Sequence, residues 1–318
     1  MKKFFKVLFI ILIILLLIIG SVAVFVVNKL NKINYVEISK EEIEVNTGVE
    51  ENLSGYRNIA LFGIDTRDDT YEGSRSDCIM IASINHDTKE IKIVSVYRDT
   101  YLDIPNHGLD KVNHAYAYGG PALSMSTLNT NLDLDITEFV TVNFTATKDI
   151  INAIGGVTLT VTDAEAKSIP RISSGGTYLL DGEQALAYGR IRKIDNDYKR
   201  TERMRTVVMA VFEKAKTMSI TELNKLANQL LPEIYTNISA TEILALIPKI
   251  YSYSIVESQG WPYKTQGITL NGVWYGPPVN LAKNVAELHK TLFGKTEYVP
   301  TETVQEISNN IINKTGYR

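Results

Sequence analysis

Four residues at the ends of short apolar runs could share one piece of chemistry: Asp65, Arg75, Asp77 and Arg98. Two carboxylates with no His or Cys partners suit a hard cation, Mg²⁺ or Mn²⁺, completed by water and phosphate oxygens. Aspartate also makes turns and caps, so a structural role for either acid stands beside the metal role. A second concentration of charge lies in 189–205, GRIRKIDNDYKRTERMR, with five arginines and two lysines. The guanidinium fork binds phosphate oxygens two at a time and never loses its charge. A charge run is also often a plain solvated segment, and this stretch alone does not decide between the two. The four histidines (His86, His107, His114, His289) are scattered, and surface or packing roles are their default. No Ser-His-Asp or Cys-His arrangement stands out. Two acids and several arginines fit phosphoryl transfer, where catalysis is mostly charge neutralisation and positioning.

Spacing predicts the elements that must bring these residues together. Runs 58–64, 78–85 and 91–97 read as strands, the last two joined by a connection short enough for an antiparallel hairpin. If the first and third run the same way, Asp65, Asp77 and Arg98 meet at one sheet edge, where ligands of α/β sheets usually bind. Beyond the Gly119-Gly120-Pro121 break, 122–132 and 145–154 read as helices, and 138–144 and 157–161 as strands. Asp181 to Gln184 resembles a capping box for a helix through Tyr188. Arg190 and Arg192, two apart in an extended segment, would share one face and leave Ile191 on the other. From Thr201 the period is helical, with Met204, Val207, Val208, Val211, Phe212 and Ala215 on one stripe. Arg200 and Arg203 fall on one side of that helix start, and Arg205 about 200° away from Arg203. Spans 220–231, 241–251 and 281–293 read as helices and 253–257 as a strand.

The chain of 318 residues has a formal net charge of −3, which argues against a nucleic-acid binder. Cys78 is the single cysteine, so no internal disulfide can form, and no C-x-x-C or His pair at metal spacing points to zinc. After Lys2, Lys3 and Lys6 comes an uncharged run, 7–27. As a helix it would span about 30 Å, the thickness of a bilayer's hydrocarbon core. The preceding lysines favour a cytoplasmic N-terminus. A signal peptide cleaved near Ala23 is the alternative, but the apolar run continues past that point. The expected organisation is a cytoplasmic N-terminus (1–6), a transmembrane helix (7–27), an extracellular acidic stalk (28–57), a catalytic domain (58–294) and a flexible polar tail (295–318).

The motifs LFGIDTR (61–67), RSD (75–77), SVYRDT (95–100), KVNHAYAYGG (111–120) and LDGEQALAY (180–188) occur in this order. The series closes with Arg190-x-Arg192, through Asp197, to Arg200 and Arg203. Together, behind one N-terminal apolar run, they resemble the LytR-CpsA-Psr family of membrane-anchored enzymes of Gram-positive cell walls. The resemblance covers about 55–295. It implies an α/β (α+β) fold, a mixed central sheet flanked by helices, with an apolar lipid-binding tunnel. It implies transfer of an anionic glycopolymer, a teichoic acid or capsular polysaccharide, from undecaprenyl pyrophosphate to peptidoglycan as a phosphodiester. Asp65 and Asp77 match the family's Mg²⁺ ligands. Arg75, Arg98, Arg190, Arg192 and Arg200 match its pyrophosphate contacts, with Lys111 and Arg203 as additions. Asp99 is a partner for Arg98 or part of hydroxyl activation, with a structural role as the alternative. Met204 stands where the family commonly has Gln, and Arg203 or a water is expected to take over that contact. The expected partners are the lipid-linked glycopolymer, peptidoglycan and the cytoplasmic membrane, with no nucleic acid. A lipid-pyrophosphate phosphatase and a non-catalytic tethered regulator or wall-binding protein are the competing functions.

Overall fold

The structure, a computed structural model, describes residues 34–65 and 73–317. The apolar run 7–27 and the motif positions Thr66 and Arg67 lie outside the described residues. Among the described residues, no helix is long and apolar enough to cross a membrane.

In chain order, β1 (Asn34–Tyr35) and α1 (Val49–Leu53) lead into β2 (Tyr56–Ile64), β3 (Ser76–Asn85) and β4 (Glu90–Val96). The hairpin β5 (Tyr101–Ile104) and β6 (Gly108–Lys111) precedes α2 (His114–Leu132). Then come β7 (Glu138–Asn143), α3 (Phe144–Ala153), β8 (Val157–Val161), α4 (Asp163–Ala166), β9 (Gly176–Leu180), α5 (Gly182–Gly189) and α6 (Asp197–Lys216). The chain continues through α7 (Ile220–Leu230), β10 (Tyr235–Thr236), α8 (Ala240–Leu246), β11 (Ser254–Trp261) and the hairpin β12 (Ile268–Leu270) and β13 (Val273–Tyr275). It closes with α9 (Leu281–Phe293) and α10 (Glu302–Thr315).

A seven-stranded sheet in the order β1-β10-β7-β2-β3-β4-β11 forms the centre. It is mixed: β3 runs antiparallel to β2 and β4, while β7 is parallel to β2 and β11 parallel to β4. The strand runs are nearly continuously apolar because both faces are covered. Ala60, Phe62, Ile64, Ile79, Ile81, Val94 and Val96 join one core with residues of α2, α9 and α10. The alternate residues Met80, Ala82, Ile91 and Ile93 face the other way, against Met204, Val208 and Phe212 of α6. A third cluster lies under the β8–β9 hairpin, with Ile151, Ala185, Tyr188 and Val207. The expected hairpin between β3 and β4 and the common direction of β2 and β4 are both present.

Both ends of the described chain differ from the stalk and tail expected for 28–57 and 295–318. In the former, Ile43, Val49 and Leu53 are buried in the main core. In the latter, Val304, Ile307 and Ile311 of α10 enter the same core. Their apolar side chains, spaced at one helical face in α10, have a protein surface to cover, so 43–53 and 304–311 are not peripheral.

Candidate functional site

The site starts from a defect in the β2–β3 ladder. Pairing passes from Gly63 opposite Cys78 to Ile64 opposite Ser76, so Asp77 is an extra residue with no partner. Such a bulge re-aims a side chain at the sheet edge. The same edge holds Asp65 after β2, Arg98 after β4, and Phe144 after β7.

Asp77 is the hub. Arg98 Nη1 donates to its Oδ1 at 2.8 Å. Arg192 Nη2 lies 3.4 Å from Oδ2 and Arg200 Nη1 4.0 Å from it. Arg200 Nη2 also donates to the Asp77 carbonyl at 3.2 Å. Asp197, one turn before Arg200, stands 3.1 Å from Arg200 Nε and 3.3 Å from Arg98 Nε. Asp99 lies 3.5 Å from Arg98 Nε and 2.7 Å from Lys111 Nζ. Cations and carboxylates therefore alternate around a ring. Burial works against the charge of Arg98, but its bond to Asp77 and the charges of Asp197, Asp77 and Asp99 outweigh it and hold the guanidinium above its ordinary value. For Arg200, 1% exposed, burial wins and pushes it below its ordinary value despite Asp197 and Asp77. The Nε atoms of both arginines are buried against Asp197 without an aligned hydrogen bond among the described residues.

The other expected residues divide. Arg192 is exposed and reaches the hub; Arg75 and Asp65 are exposed at the same edge. Arg190 caps the C-terminal end of α5 rather than lying in an extended pair, and its guanidinium sits 4.1 Å over the ring of Phe144. Ile191 is buried behind it. Arg203 is not brought to the cluster. It is 5% exposed and bonds Glu165 at 2.7 Å, both oxygens of Asp195, and the Ile191 carbonyl at 3.3 Å. Four of its five N–H donors brace Glu165 and the loop 190–196, away from the ring around Asp77. Arg205 faces β11, donating to Ser258 Oγ at 2.6 Å.

Two contributors were given no site role from the sequence. Asp197 stood in the quoted motif, and its i,i+3 spacing to Arg200 at a helix start is the signal for that role. Phe144 had none, because its meeting with Arg190 depends on how α5 docks beside β7.

From Arg190 an apolar groove with a cavity volume of about 200 Å³ runs between the sheet and the helices. Leu61, Gly63, Cys78 and Met80 form one wall, Phe144 and Leu186 another, and Met204, Val207 and Val208 the third. The Cys78 thiol, desolvated here, is pushed up to about 12 and is inert as a nucleophile. At Gly63 a Cβ would lie 2.8 Å from the Cys78 Cβ, so only glycine permits this approach of β2 to β3.

A model of the LytR_cpsA_psr family matches residues 21–291. The chain is 34% identical over 287 residues to the polyisoprenyl-teichoic acid–peptidoglycan teichoic acid transferase TagT of Bacillus subtilis (strain 168), covering 84% of this chain and 89% of the relative. It is 40% identical over 213 residues to the transferase TagU of Enterococcus faecalis (strain ATCC 700802 / V583), covering 64% of each. Among solved structures, TagT bound to LI-WTA superposes with a TM-score of 0.63 at 28% identity, covering 89% of this chain and 100% of that one. The LytR-CPS2A-psr family protein YwtF (TagT) with bound octaprenyl pyrophosphate lipid gives 0.59 at 26% identity, with the same coverage of 89% and 100%.

Proposed function

Because the chain belongs to the LytR_cpsA_psr family, we propose that it is a phosphotransferase moving an anionic glycopolymer from a polyisoprenyl pyrophosphate carrier onto peptidoglycan. The observation that carries this is the junction at Arg190. An apolar groove ends there, beside a ring of guanidinium groups around Asp77. A lipid pyrophosphate has the same two-part character, an apolar chain ending in a compact polyanion. Relatives named as teichoic acid transferases, and a related structure holding octaprenyl pyrophosphate, support the same reading.

In the proposed reaction a hydroxyl oxygen of the acceptor attacks the phosphorus that bears the glycopolymer. The bond from that phosphorus to the bridging oxygen breaks, and polyisoprenyl phosphate departs. Arg98, Arg192 and Arg200 would offset the charge on the departing phosphate, which is the main demand of phosphoryl transfer. Arg190, held over Phe144, would mark the boundary between lipid and pyrophosphate. Asp99, which pairs with Lys111, would orient the attacking hydroxyl or take its proton.

The donors at the sheet edge fit a hard cation. Asp77 and Asp65 would supply carboxylate oxygens, and among the described residues no group of three or more His, Cys, Asp or Glu could hold a metal alone. Mg²⁺ typically takes one or two carboxylates and fills its shell with water and substrate phosphate. Bound there, it would supply charge stabilisation to the pyrophosphate. We further propose that 7–27 anchors the chain in the cytoplasmic membrane with the domain outside.

The test is reconstitution of the full chain with a polyisoprenyl pyrophosphate-linked teichoic acid precursor and peptidoglycan glycan strands. The expected product is a phosphodiester-linked conjugate, reduced at least about 100-fold by Asp77→Ala. Release of inorganic or lipid phosphate without conjugate would show a phosphatase instead. Undiminished cell-wall phenotypes in Asp77→Ala and Arg98→Ala strains would leave only a binding protein.

A further inference from the structure

Tyr118 lies outside the arginine ring and serves none of the contacts described above. It is 48% exposed, yet held on several sides. Its ring stacks on His107 with centroids 4.6 Å apart and planes 18° apart. The His114 ring lies tilted beside it at 5.8 Å. Its hydroxyl donates to Asp110 Oδ2 at 2.8 Å, and His114 Nδ1 lies 2.8 Å from the same oxygen. An exposed aromatic ring ordinarily keeps its rotamer freedom; this one has lost it before any ligand arrives. That is preorganisation, which lowers the cost of binding.

Tyr118 borders a cleft of about 420 Å³ between the segment at 36–42 and the bend of α2. That volume lies within the range of small-molecule sites, about 300–1,000 Å³. One side is bare at Gly120, which has φ 61° and ψ −152° and where a Cβ would meet nothing within 4 Å. Only glycine occupies that backbone region readily. Glu37 and Glu42 stand on the cleft's lining.

This chemistry is the opposite of the arginine ring. Glu37, Glu42 and Asp110 repel a pyrophosphate and a polyanionic glycopolymer. An aromatic face beside carboxylates suits an uncharged sugar, whose C–H face stacks on the ring while its hydroxyls donate to carboxylate oxygens. A chain of contacts links Tyr118, on the cleft's border, to the arginine ring through Asp110. Lys111, the neighbour of Asp110, pairs with Asp99 at 2.7 Å, and Asp99 stands 3.5 Å from Arg98. Arg75, two positions before Asp77, is close enough for its charge to act on the Tyr118 hydroxyl.

Resting on the transferase reading above, we propose that Tyr118 and the cleft beside it form the acceptor subsite, taking an uncharged N-acetylhexosamine strand with Tyr118 as its stacking floor. The two substrates then enter from chemically opposite sides of the Asp99–Lys111 pair, the polyanion over the arginines and the neutral glycan over Tyr118.

The experiment varies an N-acetylglucosamine tetramer as acceptor at saturating lipid-linked donor, using the full chain. Tyr118→Ala should raise the acceptor KM roughly tenfold, the factor given by about 1.4 kcal/mol of lost stacking. Its kcat and its donor affinity should stay within about twofold of wild type. Tyr118→Phe, which keeps the ring and loses only the bond to Asp110, should restore most of the KM. An unchanged acceptor KM in Tyr118→Ala, or an equal loss of donor affinity, overturns the proposal. If wild type transfers to no saccharide, the transferase reading fails. The subsite is then judged by titrating the tetramer against the Tyr118 and His107 ring resonances, where no shift overturns it.

Discussion

Arg98 and Arg203 each stand between carboxylates, yet they serve different ends. Arg98 shares Asp77 with two other arginines, so no single carboxylate depends on it alone. Arg98→Ala should therefore leave the fold intact, since Asp77 retains Arg192 and Arg200, while transfer falls at least about 100-fold. Circular dichroism and single-turnover transfer, measured on the same preparation, check both halves; a collapse of the fold would mean that the ring is structural. Arg203 commits four of its five N–H donors, to Glu165, Asp195 and the Ile191 carbonyl. Burial raises the Glu165 carboxyl, but Arg203 and the two bonds from Thr162 overcome this and hold it below its ordinary value. Removing the guanidinium leaves two part-buried carboxylates unpaired, at a cost of about 3 kcal/mol. Arg203→Ala should lower the denaturant midpoint and leave donor affinity per folded molecule nearly unchanged. A normal midpoint with lost affinity would return Arg203 to the pyrophosphate site. The sequence showed five arginines in one stretch; which of them are already spent was not legible, because Glu165 and Ser258 are far away in the chain.

At the scale of elements, α6 carries Asp197 and Arg200 of the site and one wall of the groove. Its apolar residues divide between two clusters: Val207 and Val211 pack with the β8–β9 hairpin, and Met204, Val208 and Phe212 face the sheet. Periodicity made this helix legible and the Asp181 capping box marked the start of α5, where Asp181 accepts from the Gln184 backbone. Periodicity does not say whether an apolar face meets protein or a ligand. Met204 and Val208 are only partly buried, since the groove runs along them. The bulge at Asp77 was likewise hidden, because it belongs to the pairing of two strands and not to either run alone. With Arg203 unavailable, Met204→Gln would place an amide in the groove with no described partner. Isoprenyl pyrophosphate affinity should then fall roughly fivefold, for about 1 kcal/mol of unpaired polar burial. Titration with a short-chain and a long-chain lipid checks this, the loss being confined to the long chain. A gain in affinity for both would mean that residue 204 touches the pyrophosphate.

At the scale of the molecule, the two ends of the described chain are tied to its middle through Asp133 and His289. Asp133 accepts from Asn46 Nδ2 at 2.7 Å, the Tyr298 hydroxyl at 3.0 Å and the Thr301 amide at 2.8 Å. His289, fully buried, stacks on Tyr298 at 3.6 Å and bonds the Leu132 carbonyl at 3.0 Å through Nε2. Val304, Ile307 and Ile311 repeat at helical spacing, so α10 was readable, but their polar neighbours give the segment the look of a tail. Burial depresses the His289 imidazole to about 4, against which its bond to Leu132 and the charge of Asp133 work only in part. Folding therefore holds it neutral, whereas the unfolded chain protonates near 6.5. Above that pH the two states bind the same number of protons, and the stability is fully present. As pH falls from about 6.5 to about 4, only the unfolded state gains the proton, and stability declines by about 3 kcal/mol. Below about 4 both states are protonated and this loss stops growing. His289→Gln keeps a donor for Leu132 and removes the titration, so its urea midpoint should fall less than that of wild type between pH 7 and pH 4.5. Parallel declines in the two proteins would assign the acid sensitivity to carboxylates elsewhere and release His289 from this role.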